Sequence, residues 1–581
     1  MRNRKLRLFL YGGAMLLALL AGGQVYAGKP VDFGDPAFLS ARNKAAQVRA
    51  GNSIQEAIDR AKPGTTILVF PGIYYGGIVL KPGITVKSEA GAEKTVIDGQ
   101  GVDRPIVVMA DDSVLEGFTV AGRGDGGRED KMGIHALECI NVSALVKNNI
   151  VKGNQSTGIV AKGRKAHPLI IGNIVRKNEG AGIGNEEGSS ATLANNDISE
   201  NFFSGIGIQK GAKPWVTGNR SHFNLRSGMG INGQGTAPLV EDNRFFSNVF
   251  SGMGVQMEAS PTIKNNYLLH NNRAGIGVSK GGRPVILGNH ITGNVLSGIG
   301  IIDASTVLIK GNLLADNGIA GITVMDGSRA AIVKNRVIHN TTQGIICTAS
   351  YATIRNNRII DNQHHGVGIY RGSHVLAYKN FLSHNGGEEH RGTGFMVVSS
   401  FDVLIKKNVM KNNFGPGVHC RRSAPTISNN KFSNDDILAR DYAYPLITGN
   451  FFDSYGKLGR IHKGGVNCRN HGYPVIVNNT FAGKYGIAAR RTSNPLIVGN
   501  IFTGFNRNSI ETGRSGIKVA YTSAPVIKRN LFYNGNGIML KRGLVKENLN
   551  QWEMNRGLWK RLAKKRQAMP VIIADNLFLE K

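Results

Sequence analysis

The stretch NRSHFNLRSGMGINGQGTAPLVEDNRFFSNVFSGMGVQ, residues 219–256, contains two copies of one pattern. Each copy begins with an asparagine, Asn219 or Asn243, and continues to a glycine-rich apolar motif. Short apolar runs that are separated by glycine and asparagine are typical of β-strands joined by turns. A unit of this length is too small to close a hydrophobic core alone, so the copies must stack on one another.

The asparagine that begins each copy recurs through most of the chain. Its spacing is 22–24 residues between positions 149 and 380, and 20–30 residues from there to position 530. A period of this kind indicates a solenoid, and the repeats lack the leucine pattern and the helical half of a leucine-rich horseshoe. Parallel stacking places each asparagine above its equivalent, where the amides bond along the stack and asparagine tolerates the left-handed conformation of turns. The recurring residues are Asn149, Asn173, Asn196, Asn219, Asn243, Asn266, Asn289, Asn312, Asn335, Asn357, Asn380, Asn408, Asn430, Asn450, Asn479, Asn500 and Asn530.

Composition agrees with a stack of short strands. The 581 residues include 77 glycines but 18 prolines, which indicates tight turns, and 7% aromatics, which indicates a narrow core of small aliphatic residues. In each copy we number the glycine before the apolar pair as position one. Positions two and four should then face the core, and positions three and five the solvent, because side chains alternate along a strand.

The first 27 residues have the features of a secretory signal peptide. A basic start precedes an apolar run from Leu8 to Leu20, and Val25-Tyr26-Ala27 forms a small-x-small cleavage site. The run is short for an uncleaved membrane anchor, which needs about 20 residues. We therefore expect export to the periplasm or the extracellular space. We also expect the protein to be a monomer. The formal net charge of +32 favours polyanionic partners, which in that compartment are acidic polysaccharides, surface glycans and anionic lipids rather than nucleic acid.

Residues 48 to about 540 resemble right-handed parallel β-helix proteins of the pectate-lyase-like superfamily, and the repeats are most similar to those of NosD-like periplasmic proteins. The segment NSIQEAIDRAKPGTTILVFPGIYYGGIVL, residues 52–80, resembles the family's amino-terminal cap and first coil. Ser53 and Glu56 form a capping box there. The resemblance implies an all-β chain, folded as a single-stranded right-handed parallel β-helix with an N-terminal capping helix. The apolar face of that helix comprises Ile54, Ala57, Ile58 and Ala61.

The chain is expected to end in a basic amphipathic helix, residues 543–570, and a last strand, residues 571–580. This helix is either a cap or a contact for an anionic membrane or glycan. Its apolar residues are Leu549, Trp552, Leu558, Trp559 and Leu562. The expected organisation is a signal peptide (1–27), an N-terminal extension (28–51), the cap and first coils (52–125), β-helix repeats of about 23 residues (126–542), and the C-terminal helix with the last strand (543–581).

Three of the four cysteines fall on the core side of the repeat. In the stretch GVHCRR, Cys420 occupies position four, whereas His419 and Arg421 occupy the outward positions three and five. Cys347 and Cys468 also take position four, so we predict buried thiols that act as small apolar core residues. Cys420 and Cys468 lie two coils apart, about 9–10 Å, which is too far for a disulfide.

Position five carries an arginine on four successive coils. We call Arg421, Arg440, Arg469 and Arg490 the arginine row. Like charges stacked about 4.8 Å apart repel by on the order of 1 kcal/mol per pair in water, so the row is costly unless anions lie among its members. The region is strongly basic, since residues 415–542 contain 18 basic and 5 acidic side chains against 11 and 10 in residues 182–330.

Two interpretations of the arginine row remain open. Its side chains either spread into solvent or pair with Asp435, Asp436 and Asp441, or they line a groove for a repeating polyanion, since arginine binds carboxylates and sulfates as a fork. Irregular repeats after residue 380 would then build the walls of a cleft. In the groove interpretation the further substrate-binding residues are Arg422, Asp441, Tyr442, Tyr473, Arg491 and Lys541, with Tyr444, Tyr485 and Tyr521 as additional platforms for sugars.

The resemblance implies cleavage of uronate polymers by β-elimination, in which a cation or bound calcium neutralises the carboxylate and a basic side chain removes the adjacent proton. On that basis the catalytic candidates are His419, Arg421, Arg440, Arg469, His471 and Arg490, with Tyr473 as a further helper. The sequence requires no cofactor. The acidic residues available for calcium are Asp435, Asp436, Asp441 and Asp453.

Other signatures of the superfamily are missing from the sequence. Asp35-Pro36 is followed by Ala37 and not by the histidine of alginate epimerases, and the polygalacturonase pattern is absent. Methionine, histidine and cysteine do not cluster as soft-metal ligands, as the copper-site role of NosD-like proteins would require. Three hypotheses therefore remain: an enzyme such as a lyase that acts on acidic polysaccharide, a non-catalytic glycan-binding rod, and a NosD-like periplasmic accessory protein.

Overall fold

The computed structural model describes residues 46–122, 134–453, 465–483, 486–503, 516–519, 523–533, 538–540, 543–545 and 572–579. Each coil contributes one short strand to each of three sheets, which we call A, B and C and which contain 22, 21 and 21 strands. A typical coil has the strands Leu145–Lys147 in sheet A, Ile150–Lys152 in sheet B and Ile159–Lys162 in sheet C. Strands of successive coils pair in parallel, as Ile159–Lys162 does with Ile183–Glu186. The predicted right-handed parallel β-helix is confirmed.

The strands that carry the candidate site belong to the later coils. In sheet C they are Gln343–Thr348, Val367–Tyr370, Phe395–Val398, Val418–Arg421, Asp436–Arg440, Gly465–Arg469, Ile487–Ala489 and Ile517–Val519. In sheet A they are Tyr351–Arg355, His374–Tyr378, Val403–Lys406, Thr426–Ser428, Leu446–Thr448, Val475–Val477 and Leu496–Val498. In sheet B they are Arg358–Ile360, Phe381–Ser383, Val409–Lys411, Lys431–Ser433, Phe451–Asp453, Thr480–Phe481 and Ile501–Phe502.

The inward positions of the repeat form one continuous core. Positions two and four are confirmed as core positions, since Val418 and Cys420 are fully buried and their equivalents Ile437 and Ala439 stack beneath them. The expectation of a core made only of small aliphatic side chains is wrong in the last coils. There six phenylalanines stack on successive coils, with ring centroids 4.7–4.8 Å apart. They are Phe432, Phe452, Phe481, Phe502, Phe532 and Phe578.

The predicted asparagine ladder is confirmed. The side-chain amide of Asn266, for example, donates to Asn289 Oδ1 at 3.0 Å and to the carbonyl of Val240 at 2.9 Å. The ladder also extends one coil beyond Asn530, to Asn576. The left-handed conformation belongs to the preceding residue, such as Asn265 with φ 54°. That residue makes the bend between sheets A and B, which turns the next side chain inward, towards the amides of the neighbouring coils.

A second asparagine ladder, which the sequence analysis missed, runs between sheets B and C. Its members lie five residues after those of the first ladder and are equally buried. Asn271 donates through Nδ2 to Asn294 Oδ1 at 3.0 Å and accepts at Oδ1 from the amide of Asn248 at 3.0 Å. The members are Asn154, Asn178, Asn201, Asn224, Asn248, Asn271, Asn294, Asn317, Asn340, Asn362, Asn385 and Asn413.

All four cysteines are free and buried, as predicted for Cys347, Cys420 and Cys468. Burial raises the pKa of the Cys347 thiol to about 12. It also raises the pKa of the Cys420 and Cys468 thiols well above their usual range. These thiols are therefore protonated core side chains.

The described residues contain one helix, Ile54–Arg60. Its capping residue is as predicted, because the backbone NH of Glu56 donates to Ser53 Oγ at 3.2 Å. Of the predicted apolar face, Ile54 and Ile58 are buried, whereas Ala57 and Ala61 are only partly covered.

The C-terminal region differs from the expectation where the structure describes it, and the first 45 residues lie outside the described residues. Gly543–Val545, expected to begin the basic helix, forms an antiparallel strand against Ile538–Leu540, and residues 546–571 lie outside the described residues. The expected last strand is two strands, Ile572–Ala574 and Leu577–Leu579. The signal-peptide prediction falls on residues that the structure does not describe. Within the described part of the chain no helix is long and apolar enough to cross a membrane.

Candidate functional site

The arginine row lies on the outer face of sheet C. Arg421, Arg440 and Arg469 are aligned directly on three paired strands. Arg490 continues the stack, because its backbone NH donates to the carbonyl of Cys468 at 3.0 Å. The side chains of Arg421 and Arg440 are 42% and 36% exposed. Because neighbouring strands are about 4.8 Å apart, the row presents one guanidinium per coil along the long axis of the rod.

Of the three carboxylates expected to pair with the arginine row, Asp441 forms ion pairs with it. Asp441 follows strand Asp436–Arg440 in a left-handed turn with φ 53°. Its Oδ2 lies 3.0 Å from Arg421 Nε and 3.8 Å from Arg440 Nε. Asn470 donates to its other oxygen at 3.4 Å. Asp441, which the sequence placed among the substrate-binding residues, therefore holds two arginines and offsets only part of their charge.

Arg469, the next member of the row after Arg421 and Arg440, is also surrounded by positive charges. The pKa of Arg469 is lowered by burial first and then by the positive charges of Arg490, Arg491 and Arg440. Arg422 and Arg491 follow the strands as exposed residues in left-handed turns, with φ 47° and 51°. The positive surface is therefore two residues wide at the first and last coils of the row, whereas Asp441 and Asn470 follow the arginines of the two coils between them. Lys541, Tyr485 and Tyr521, also predicted for this surface, lie outside the described residues.

His419 faces outward as predicted but is covered, with 8% exposure. Its Nε2 accepts a hydrogen bond from Arg440 Nε at 2.8 Å. Burial, followed by the positive charge of Arg440, lowers the pKa of His419 to about 3. The imidazole is therefore neutral at pH 7 and orients the Arg440 guanidinium.

Asp436 is buried beneath the row because one coil has a shortened turn. Elsewhere several residues separate the second ladder from sheet C, as between Asn413 and Val418, but here the strand starts directly after Asp435. Asp436 takes position one, which is glycine in the neighbouring coils at Gly417 and Gly465, and is 1% exposed. Asn467 Nδ2 donates to its Oδ2 at 2.8 Å, and among the described residues its Oδ1 has no hydrogen-bond partner. Burial raises the pKa of Asp436 to about 6, against the opposing effects of Asn467 and Arg469.

The predicted stacking residues form an aromatic patch beside the row, on the turns that follow sheet C. Tyr442 stacks on His471 with ring centroids 4.9 Å apart, and Tyr444 stacks on Tyr473 at 5.3 Å. Tyr442 and Tyr444 are 54% and 51% exposed. These four residues are the aromatic patch. His471, predicted as a catalytic helper, is thus part of a stacking surface.

The four aspartates considered for calcium do not converge on one point. Asp435 ends the second asparagine ladder, where Asn413 donates to both of its oxygens at 3.0 and 2.6 Å, and burial raises its pKa well above the usual range. Asp436 and Asp441 are engaged as described above, and Asp453 lies on sheet B. In the parts of the chain that the structure describes, no group of three or more His, Cys, Asp or Glu side chains could hold a metal ion. These four aspartates therefore do not form a calcium site.

A family model described as a right handed beta helix region matches residues 128–266, 158–314, 254–388, 349–452 and 387–552. A search of curated proteins finds no match. Among solved structures, the A-module of mannuronan C-5 epimerase AlgE4 from Azotobacter vinelandii is 15% identical, with 58% of this chain and 91% of that chain covered and a TM-score of 0.32. The PL6 family alginate lyase AlyGC is 12% identical, with 85% and 92% covered and a TM-score of 0.37. The catalytic unit of a thermostable GH87 α-1,3-glucanase from Streptomyces thermodiastaticus is 15% identical, with 66% of each chain covered and a TM-score of 0.32. Likeness at this level does not bear on what this chain binds or cleaves.

Proposed function

Because the chain belongs to the right-handed β-helix family, we propose that it is an exported protein that binds an acidic polysaccharide along the arginine row. The observation that carries the proposal is the alignment of Arg421, Arg440, Arg469 and Arg490 on successive coils of one outer face. A polymer that lies along the rod meets a new cation about every 4.8 Å, and each guanidinium binds a carboxylate or sulfate as a fork. Export to the periplasm or the extracellular space rests on the predicted signal peptide.

The surroundings of the row support binding rather than a merely solvated surface. Asp441 and His419 hold Arg421 and Arg440 in place, which lowers the entropic cost of ordering them on a ligand. Neither holder neutralises the row, since His419 is uncharged at pH 7 and Asp441 supplies one negative charge to two arginines. The aromatic patch beside the row offers flat apolar faces for sugar rings.

The test removes the charge of the row. A variant with Arg421, Arg440, Arg469 and Arg490 changed to glutamine should bind a polyuronate about 100-fold more weakly at low salt, because each change removes a charge-assisted contact. Its affinity should also depend less on salt concentration than that of the wild type. Isothermal titration calorimetry with defined oligouronates measures both effects.

The matched control removes four arginines from another face. Arg220, Arg244, Arg336 and Arg358 are exposed on the first positions of sheet B strands. Their replacement by glutamine changes the net charge equally, and affinity should fall by less than about threefold. Equal losses in the two variants would show nonspecific attraction, and unchanged binding in the row variant would exclude the groove.

Cleavage by β-elimination is the second candidate, and one observation favours it. The carboxyl group of Asp436, with a pKa near 6, lies among the arginines, as a group for proton transfer beside a carboxylate-binding surface would. His419 would act as a base only after releasing the hydrogen bond that its Nε2 accepts from Arg440. In this reaction a base removes the C5 proton next to the uronate carboxylate and a double bond forms between C4 and C5. The C4–O bond to the leaving sugar breaks, and the leaving oxygen keeps the electron pair and takes up a proton from an acid or from water. Ultraviolet absorbance of that product, measured with and without calcium, would establish the lyase. Retention of the uncut polymer would favour the glycan-binding rod.

A further inference from the structure

A cleft of about 530 Å³ lies on the outer face of sheet C, directly beside the arginine row. It is lined by Met325, Ile346, Tyr370 and Val398, with Thr348, Arg371 and Ser399 as its polar members. Val398 is aligned with Arg421 on the paired strands, and the backbone NH of Ser399 donates to the carbonyl of Arg421 at 3.2 Å. The cleft and the row are therefore consecutive parts of one surface.

The side chain at position five changes from polar to apolar and then to cationic along this surface. In the earlier coils it is polar, with Gln209, Asn232 and Gln256 stacked in register. It then runs through Ser279, Ile302, Met325, Thr348, Tyr370 and Val398 before the arginines begin. The segment from Ile302 to Val398 is apolar except for Thr348. It is bounded by polar side chains on one side and by cations on the other, and its end coincides with the start of the row.

Tyr370 is held in a fixed orientation within the cleft. Its hydroxyl donates to Gln343 Oε1 at 3.2 Å. The ring packs over Gly368, where an added Cβ would lie 2.5 Å from Tyr370 Cε2. Glycine at position 368 therefore makes room for the ring, and a rigid aromatic side chain of this kind is a platform for the apolar face of a sugar.

We infer that the cleft binds a sugar residue that carries an acyl substituent, within the same acidic polymer whose charged residues lie on the arginine row. The inference rests on the function proposed above. The cleft is open on its solvent side, and its volume of about 530 Å³ accommodates one substituted sugar ring that rests on the sheet. The methionine, isoleucine and valine side chains suit a methyl group, which gains free energy from contact with apolar surface. Thr348, Ser399 and Arg371 supply partners for the hydroxyl and carbonyl groups of the sugar.

The test compares two forms of one polymer. An O-acetylated polyuronate and the same material after mild base treatment have the same backbone and the same carboxylates, and differ in their acetyl groups. The wild type should bind the acetylated form about tenfold more tightly, as is typical of one methyl-sized group in an apolar pocket. In Tyr370→Ser this ratio should fall to near one, because affinity for the acetylated form should fall further than affinity for the deacetylated form, whose sugar ring also loses its aromatic platform.

Two further variants make the result specific. Val398→Ser removes a cleft contact without disturbing the Tyr370 hydrogen bond, and it should lower the ratio in the same way. Tyr351→Ser changes a tyrosine that is 39% exposed on sheet A, and it should keep the wild-type ratio. A retained ratio in both cleft variants would overturn the inference.

The outcomes also distinguish this inference from the proposed function. Equal binding of the two polymers by the wild type would overturn the acyl site while the arginine row stands. Binding of neither polymer would overturn both. If anionic phosphatidylglycerol vesicles bind in a manner that Tyr370→Ser abolishes, and the acetyl groups have no effect, the cleft holds a lipid chain and the inference is wrong.

Discussion

Replacing Asn271 by alanine is expected to lower the free energy of unfolding by about 4 kcal/mol, through the loss of a buried polar side chain with four hydrogen bonds. Asn271 Nδ2 donates to Asn294 Oδ1 at 3.0 Å and to the Phe245 carbonyl at 3.1 Å. Its Oδ1 accepts from the backbone NH and the side-chain amide of Asn248, at 3.2 and 3.0 Å. Alanine leaves donors and acceptors of two neighbouring coils buried without partners, and each such group costs free energy.

The control for this prediction is the next residue. Asn272 lies in the same turn but is exposed, so Asn272→Ala should change the free energy of unfolding by less than about 0.5 kcal/mol. Urea unfolding followed by circular dichroism compares both variants with the wild type, and amide hydrogen exchange locates the weakened coils. Similar unfolding midpoints for the two variants would show that the second ladder does not stabilise the rod.

Lowering the pH from 7 to 4 is expected to destabilise the wild type by about 3 kcal/mol more than it destabilises His419→Gln. The pKa of His419 is lowered to about 3 in the folded chain, against an ordinary value of 6.5. The unfolded chain therefore takes up a proton between these two values and the folded chain does not. The stability that His419 contributes is present above pH 6.5 and is lost as the pH falls towards 3.

The comparison with His419→Gln isolates this group from its titrating neighbours. The pKa of Asp436 is raised to about 6, so its contribution has the opposite sign: it is present at low pH and is lost as the pH rises from about 4 to 6. The pKa of His365 is also lowered, to about 4. Both groups remain in the variant, and their effects cancel in the difference between the two proteins.

A second background tests the cause. Burial is the largest reason for the low pKa of His419, and the positive charge of Arg440 is the next, with Arg421 and His365 acting in the same sense and Asp441 opposing them. When Arg440→Gln is introduced into both proteins, the pH-dependent difference between the chain that keeps His419 and the chain that carries His419→Gln should shrink but persist. Urea midpoints measured at pH 7 and 4 give each value, and parallel pH curves for wild type and His419→Gln would contradict the assignment.

The sequence predicted on which face of its strand most side chains of the candidate site lie, but it did not predict which neighbouring side chains they contact. The alternation of the repeat placed Cys420 in the core and Arg421 outside, and both placements are confirmed. The same alternation put His419 outside, where it is instead covered by its neighbours. The second ladder is visible in the sequence as an asparagine five residues after each member of the first from Asn149 to Asn408.

By itself the sequence determined the coil, the stack of parallel strands and the residues on each face, because these follow from a 22–24 residue period and from local alternation along strands. Only the tertiary structure decided that Asp441 holds Arg421, that His419 holds Arg440, and that Tyr370 packs over Gly368 beside the row. Most such contacts join side chains on different coils, about twenty or more residues apart, where turns are shortened or extended. Burial, rotamer and distance at those points depend on how neighbouring coils stack, and no local pattern encodes them.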